Sequence, residues 1–225
     1  MEKMRWFRDR GHELFLAAPE DSAIHRAARN ENFEIAQLDF TKGTMPLDVI
    51  RLGSFIKKIK PDIIGTHSSV DSWVGLVSAY LMGVRCKIRY RHVSTPVKSH
   101  LLNHMQYRLL CDLILTTGEC IRVPLIREFS LPRNKIVSVP TGIRPPQLLP
   151  SKEEALSVLQ KELGLPPGSR FLGQVSVLRS WKGHLDLIEA YKHISRKSPN
   201  YHLIIVGAGP QQEALSSALK NDGLS

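Results

Sequence analysis

Two spacings of apolar residues run through the chain, and each predicts its own kind of element. Leu47, Ile50, Leu52, Phe55, Ile56 and Ile59 recur at helical intervals and build one apolar face, which Pro61 stops. Short apolar runs take the other form. Leu14 to Ala18, Glu34 to Leu38, Asp62 to His67, Cys86 to Tyr90, Leu113 to Thr116 and Ile136 to Val139 each have the length and content of a strand. Helical composition fills intervals between them at Glu2 to Arg10, Ser22 to Asn30, Trp73 to Met82 and Asn103 to Leu110. Parallel neighbours need a crossover, so this repeated alternation predicts a parallel sheet covered by helices. A domain of this kind ordinarily opens with a core strand and a loop. Here a helix comes first, so a first strand is expected to be missing ahead of it.

A second series begins at Ser151-Lys152-Glu153-Glu154, where the serine oxygen and the carboxylate three residues later can satisfy terminal amides. That helix should run to about Leu163 and end at Gly164. Then come a strand from Phe171 to Val177, a helix from His184 to Ser195, a strand from Leu203 to Val206 and a helix from Gln211 to Lys220. Pro140-Thr141-Gly142 closes the first series, and Pro145, Pro146 and Pro150 mark an extended passage that could act as a hinge. The expected domains are residues 1–145 and 146–225.

Of the 225 residues 42% are apolar, enough for a real core. The formal charge of +10 lies mostly in the first 150 residues, where 22 basic residues face 14 acidic ones. A solvated basic face and an anionic membrane surface or lipid-linked acceptor account for it equally well; nucleic acid does so poorly. Three cysteines, Cys86, Cys111 and Cys120, form no CxxC pair and are odd in number, which fits buried thiols in a reducing compartment. No charged-flanked secretory segment opens the chain, and Asp71, Arg85 and Lys87 interrupt the longest apolar tract, so neither secretion nor a membrane span is expected.

The candidate chemistry gathers where predicted strands end. Arg179 and Lys182 are separated by two residues across a strand-to-helix turn, where an arginine fork and a mobile lysine can bind phosphoryl oxygens. Gly183 would let backbone approach closely, and the following helix start offers free amides. Gly207-Ala208-Gly209-Pro210 follows the next strand and could pass beside a base or ribose, or be a plain tight connection. It lacks the GxGxxG spacing, and His184 after Gly183 rules out a P-loop. In the first domain His92 and Arg91 leave one strand, and His67, Ser68 and Ser69 leave another. They could line an acceptor cleft or merely satisfy local backbone. The histidines adopt no metal-ligand spacing, no GxSxG elbow occurs, and Cys111 and Cys120 have no nucleophile's context. Glu119 with Arg122 reads as a solvated helix start, and Trp73 and Trp181 read as packing residues.

Taken in order, Gly11-His12-Glu13, Thr66-His67-Ser68-Ser69, Tyr90-Arg91-His92-Val93-Ser94, Thr117-Gly118-Glu119, Val139-Pro140-Thr141-Gly142-Ile143, Val177 to Gly183 and Val206-Gly207-Ala208-Gly209-Pro210 resemble retaining glycosyltransferase family 4, of the GT-B class. The likeness covers almost the whole chain. It implies an α/β fold made of a GT-B-like pair of Rossmann-like parallel-sheet domains. It also implies transfer of a sugar from a nucleotide diphosphate sugar to a glycan or lipid-linked acceptor, in cell-surface polysaccharide or glycolipid synthesis, with no catalytic metal or cofactor. Under it Arg179 and Lys182 neutralise the donor diphosphate, and His92 contacts the transferred sugar. Gly183, Gly207, Gly209 and Pro210 border the donor, while His67, Ser68, Ser69 and Arg91 border the acceptor. The basic first domain would work in the cytoplasm, at the inner face of the cell membrane.

Two departures stand out. The glycine-rich loop between the family's first strand and first helix is absent, and its paired glutamates would fall after further elements beyond Gly207, whereas the sequence stops at Ser225 and Glu213 comes too early. The expectation is a chain truncated at both ends with its second domain incomplete. The alternative to an active enzyme is an inactive fragment that at most binds a nucleotide sugar or glycan.

Overall fold

Parallel ladders join the strands of the first half of the chain in two groups. In the computed structural model, which describes residues 1–142, 146 and 148–224, β1 (Phe15–Ala18) pairs with β2 (Glu34–Gln37). The strands β3 (Ile63–Thr66), β4 (Cys86–Arg91), β5 (Leu113–Thr116) and β6 (Ile136–Ser138) form a second sheet in that order. All six match predicted runs, but one continuous sheet was expected and the ladder is interrupted between β1 and β3. Ala17 and Ile64 nevertheless pack on one apolar cluster with Leu52, Ile56 and Val74. Packing thus joins what hydrogen bonding does not.

The helices of this unit are α1 (Glu2–Arg8), α2 (Ala23–Asn30), α3 (Met45–Ile59), α4 (Ser69–Leu81), α5 (Leu101–Met105) and α6 (Glu119–Phe129). The α3 face delivers Leu52 and Ile56 to the core, and Lys60, left-handed at φ 48°, ends the helix before Pro61. Helix α4 starts at Ser69, four residues before the predicted Trp73, because the Asp71 carboxylate accepts the Ser68 N–H at 2.7 Å and the His67 N–H at 3.1 Å. Ser69, expected in a loop, is therefore the first helical residue. Gly75 lets α4 lie against β3, since a Cβ there would stand 2.6 Å from Thr66 Cγ2. Beyond α5 the chain widens into a π turn over Gln106–Leu110. Sequence patterning reached only the Glu119–Arg122 start of α6, whose interior Pro124 breaks the helical signal. The core beneath β4 to β6 centres on Tyr107, Ile114, Leu125, Phe129 and Ile136, with the Tyr107 and Phe129 rings stacked at 4.7 Å. Burying a side chain such as Phe129 contributes about 1.5–3 kcal/mol.

The chain divides into compact units Met1–Ile143 and Arg144–Ser225. Pro145 of the expected hinge and Ile143 of the Val139–Ile143 motif lie outside the described residues. The second unit holds α7 (Lys152–Glu162), β7 (Arg170–Val175), α8 (His184–Lys197), β8 (Tyr201–Val206) and α9 (Gln212–Asn221). The predicted capping box forms: Ser151 Oγ accepts the Glu154 N–H at 3.1 Å and Glu154 Oε2 accepts the Ser151 N–H at 2.7 Å. Strands β7 and β8 run parallel from Arg170↔Tyr201 to Val175↔Val206, over a small core of Leu178, Ile188 and Leu215. The fold is thus α/β with two parallel-sheet, Rossmann-like units.

Candidate functional site

Strands β3 and β4 are adjacent and parallel, so residues following them leave the same edge of the sheet. His67 and His92 do so, and the structure brings them together. His67 Nδ1 lies 2.9 Å from His92 Nε2, with the two rings within 1° of parallel and their centres 5.3 Å apart. A separation that large, with so short a nitrogen contact, means the imidazoles meet edge to edge in one plane. Tyr90 lies parallel to both, 4.4 Å from His67 and 6.0 Å from His92. It fits because residue 65 is glycine: a Cβ there would already be 3.0 Å from Tyr90 Cε2.

Arg89, the residue before Tyr90 on β4, is 2% exposed. Its Nη1 donates to the Ser68 carbonyl at 2.7 Å, to Ser72 Oγ, and to the Tyr90 carbonyl at 3.3 Å, while its Nε has no partner. Among the described residues no carboxylate forms an ion pair with it. The positive charge therefore acts on its neighbours. Partial desolvation first, then the neighbouring charges, holds His67 and His92 below the ordinary imidazole value of 6.5; Lys3 and Arg89 push both down and Asp71 opposes them. The Lys3 ammonium sits 4.6 Å from the centre of the Tyr90 ring. Of the other predicted acceptor-side groups, Ser68 caps α4, and Arg91 spends one amino group on the Thr95 carbonyl at 2.6 Å, which folds the loop back. Asp71, Arg89 and Tyr90 were not singled out by sequence. The Ser68-x-x-Asp71 spacing was a signal for the first; nothing local marked the other two.

In the second unit Arg179 precedes a 3₁₀ turn, Ser180–Lys182, and Gly183 at φ 72° leads into α8. Arg179, in an extended conformation, immediately precedes the turn and Lys182 closes it, so the two cations flank it, and the Lys182 N–H donates to the Arg179 carbonyl at 3.0 Å. Both are exposed and form no ion pair among the described residues. The turn is held from below: Gln174 Nε2 donates to the Lys182 carbonyl at 2.7 Å, and buried His184 meets Ser176 Oγ through Nε2 at 3.0 Å. Trp181, expected to pack inward, is 70% exposed, because the turn projects it outward with the Arg179 guanidinium 5.2 Å from its ring centre. Trp73 does pack, against the Tyr107–Phe129 core.

The loops after β7 and β8 are knitted by backbone hydrogen bonds: Ser176 N–H to Val206 O, Leu178 N–H to Ala208 O and Gln211 N–H to Leu178 O, at 3.0 to 3.1 Å. A Cβ on Gly207 would stand 1.9 Å from the Ser176 carbonyl oxygen, and one on Gly209 2.5 Å from that of Leu178. The two glycines thus have a structural reason of their own, the close approach of the loop that carries Arg179.

Two other expectations change. Cys111 is buried, and its thiol is pushed up to about 11 by desolvation, but Cys120 is exposed and Cys86 half-buried, so the thiols are not uniformly internal. A cavity of about 420 Å³, lined by Lys57, Lys60, Met82 and Arg85 among others, opens at the amino ends of β3 and β4, the edge opposite His67 and His92. It contains no predicted site residue. Among the described residues no helix is long and apolar enough to cross a membrane, and no three His, Cys, Asp or Glu side chains are grouped to hold a metal ion.

Known families share this arrangement. The profile of Glycosyltransferase Family 4 matches residues 1–146 and that of Glycosyl transferases group 1 matches residues 157–225. The chain belongs to Glycosyltransferase Family 4. It is 28% identical over 184 residues to the UDP-Gal:alpha-D-GlcNAc-diphosphoundecaprenol alpha-1,3-galactosyltransferase of Escherichia coli, covering 77% of this chain and 47% of that one. Among solved structures it is similar to a glycosyltransferase from Rickettsia africae, at a TM-score of 0.77 and 16% identity over 98% of this chain and 60% of that one. Anabaena HepE in complex with UDP-glucose matches at a TM-score of 0.70 and 17% identity, with the same coverage. These members of the GT-B class share the fold of this family member, which spans about half to three fifths of their length.

Proposed function

We propose that the protein transfers a sugar from a nucleoside diphosphate sugar to a glycan or lipid-linked acceptor, with retention at the anomeric carbon. The observation that carries this is a pair of exposed cations, Arg179 and Lys182, flanking the short turn that leads into α8 in a chain of this family. The guanidinium and ammonium neutralise the diphosphate as it departs, and Gly183 with the first amides of α8 receives further phosphoryl oxygens. His92 hydrogen-bonds a hydroxyl of the sugar being moved. The bond from the anomeric carbon to the diphosphate oxygen breaks as the acceptor oxygen attaches on the same face. The acceptor proton passes to the departing diphosphate.

In this reading residues 1–145 serve the acceptor and residues 146–225 the donor. Gly207, Gly209 and Pro210 border the nucleotide, and His67, Ser68, Ser69 and Arg91 border the acceptor. Similarity to the Escherichia coli galactosyltransferase supports a uridine diphosphate hexose as donor and a diphospholipid-linked amino sugar as acceptor. The basic excess of the first 150 residues supports work at the inner, anionic face of a membrane. The test supplies uridine, guanosine and adenosine diphosphate sugars together with a diphospholipid-linked N-acetylglucosamine and follows the product and its anomeric configuration. A product of retained configuration from one donor is expected. Transfer from none of them overturns the reading, and saturable donor binding without product leaves a binding module in its place.

A further inference from the structure

We infer that His67 is a positioning residue, which holds His92 through the in-plane Nδ1···Nε2 hydrogen bond and so fixes the tautomer and direction of the His92 ring. This rests on the reading that His92 meets the transferred sugar, and it assigns His67 to His92 rather than to the acceptor.

The argument is geometric. A contact of 2.9 Å between two imidazole nitrogens in coplanar rings holds one hydrogen, so one ring donates and the other accepts. Whichever donates, the hydrogen-bonding character of His92 Nδ1, the nitrogen left over, is then set. The alternative, two rings turning freely, is opposed on three sides. Asp71 clamps the His67 backbone, Tyr90 covers one face of the His67 ring, and Thr117 Oγ1 reaches the His92 carbonyl at 3.5 Å. The groups that bear on the pair's charge are Lys3 from α1, Asp71 from α4, and Arg89 with the Tyr90 ring from β4. Asp71 favours the charged rings, and on His67 it outranks either cation; desolvation, with Lys3 and Arg89, works the other way and prevails at both rings. One added proton can be shared along the hydrogen bond, but a second sets two N–H groups against each other. The two histidines therefore titrate as a pair and not as two independent sites.

The experiment combines nitrogen-15 histidine spectra of the whole protein with steady-state kinetics on wild type, His67→Phe, His67→Gln and Lys3→Met. Wild type is expected to show one His92 tautomer and linked titration of the two rings below pH 6.5. His67→Phe keeps a flat ring over Tyr90 but no nitrogen. It should give a tautomer mixture at His92 and a kcat lower by about tenfold to a hundredfold with donor KM little changed, the size of loss seen when a partner orienting a histidine is removed. The carboxamide of His67→Gln should restore part of that kcat. Lys3→Met, at an exposed position, should move the titration of both rings upward together. A single unchanged His92 tautomer in His67→Phe, or independent titration of the rings in wild type, overturns the inference whether or not the protein turns over. If His67→Phe does not fold, the shared shift in Lys3→Met and the tautomer in His67→Gln decide it alone. Absence of sugar transfer alongside the expected spectra would count against the proposed function and leave the positioning role standing.

Discussion

In the first unit the groups around His92 come from α1, β4 and the loop after β3 and touch one another: Lys3 over Tyr90, Tyr90 beneath His67, His67 against His92, with Arg89 buried nearby and bonded to the Ser68 carbonyl. In the second, Arg179, Lys182 and Gly183 come from a single stretch of chain, tied by the Gln174 amide to the Lys182 carbonyl and by backbone hydrogen bonds between the loops after β7 and β8. Side-chain packing gives the first region its rigidity, so its groups are coupled and shift one another's titration. Hydrogen bonds to main-chain atoms, most of them from other main-chain groups, support the second, which leaves its cations exposed to solvent. A site that must aim a ring at a small target suits the first plan. A site that must surround a highly charged, variable group suits the second.

The largest effect should come from the scaffold of the second region. Gly207→Ala or Gly209→Ala drives a Cβ into the backbone of Ser176 or Leu178 and should cost about 3–5 kcal/mol in denaturant unfolding. A variant that stays as stable as wild type but loses donor affinity would shift the glycines from scaffold to ligand contact and break the contrast. Next, Arg179→Ala and Lys182→Ala should each lower kcat/KM for the donor by about 10²–10³ while changing stability by no more than about 0.5 kcal/mol, because both are exposed. Loss of folding in either would mean the turn depends on these side chains after all. In the first region Asp71→Ala frees the amides of His67 and Ser68 and should cost about 1–2 kcal/mol. Activity should fall with it, because the His67 loop is released; calorimetry and turnover would be measured on one preparation. Ser151→Ala, distant from both regions in sequence, should cost only about 1 kcal/mol by removing the cap of α7 and leave donor KM alone.

The smallest effect is the pH dependence. His67 and His92 titrate below 6.5 when folded, so near and below that pH the unfolded chain binds more protons. Their share of stability is complete above about pH 6.5 and declines as pH falls through 6.5 toward the lower folded values. Replacing both by glutamine should flatten that limb of the stability profile. An unchanged slope there would show that the cluster is not coupled to its cations.

Much of this architecture was legible beforehand where a local pattern carried it. The strands were runs of apolar residues, α3 was one helical face, and Ser151 with Glu154 announced a helix start. Local pattern failed where the deciding contact came from elsewhere. The α4 start was misread because Asp71 looked like an interruption of an apolar stretch, when its carboxylate in fact gathers the amides ahead of it. Trp181 looked like a core residue, since size and hydrophobicity do not reveal which way a 3₁₀ turn points.

By its own order of residues the chain determined the alternation of strands and helices, the division into two series and the basic Arg179–Lys182 turn, because each depends on spacing within a few positions. Tertiary structure decided the rest. That His67 meets His92 edge to edge, that Arg89 lies buried with no carboxylate partner among the described residues, and that Gly207 and Gly209 clear the backbone of Ser176 and Leu178 all depend on parallel strands bringing together residues some 20 to 30 positions apart, and no short-range pattern records which of them will touch.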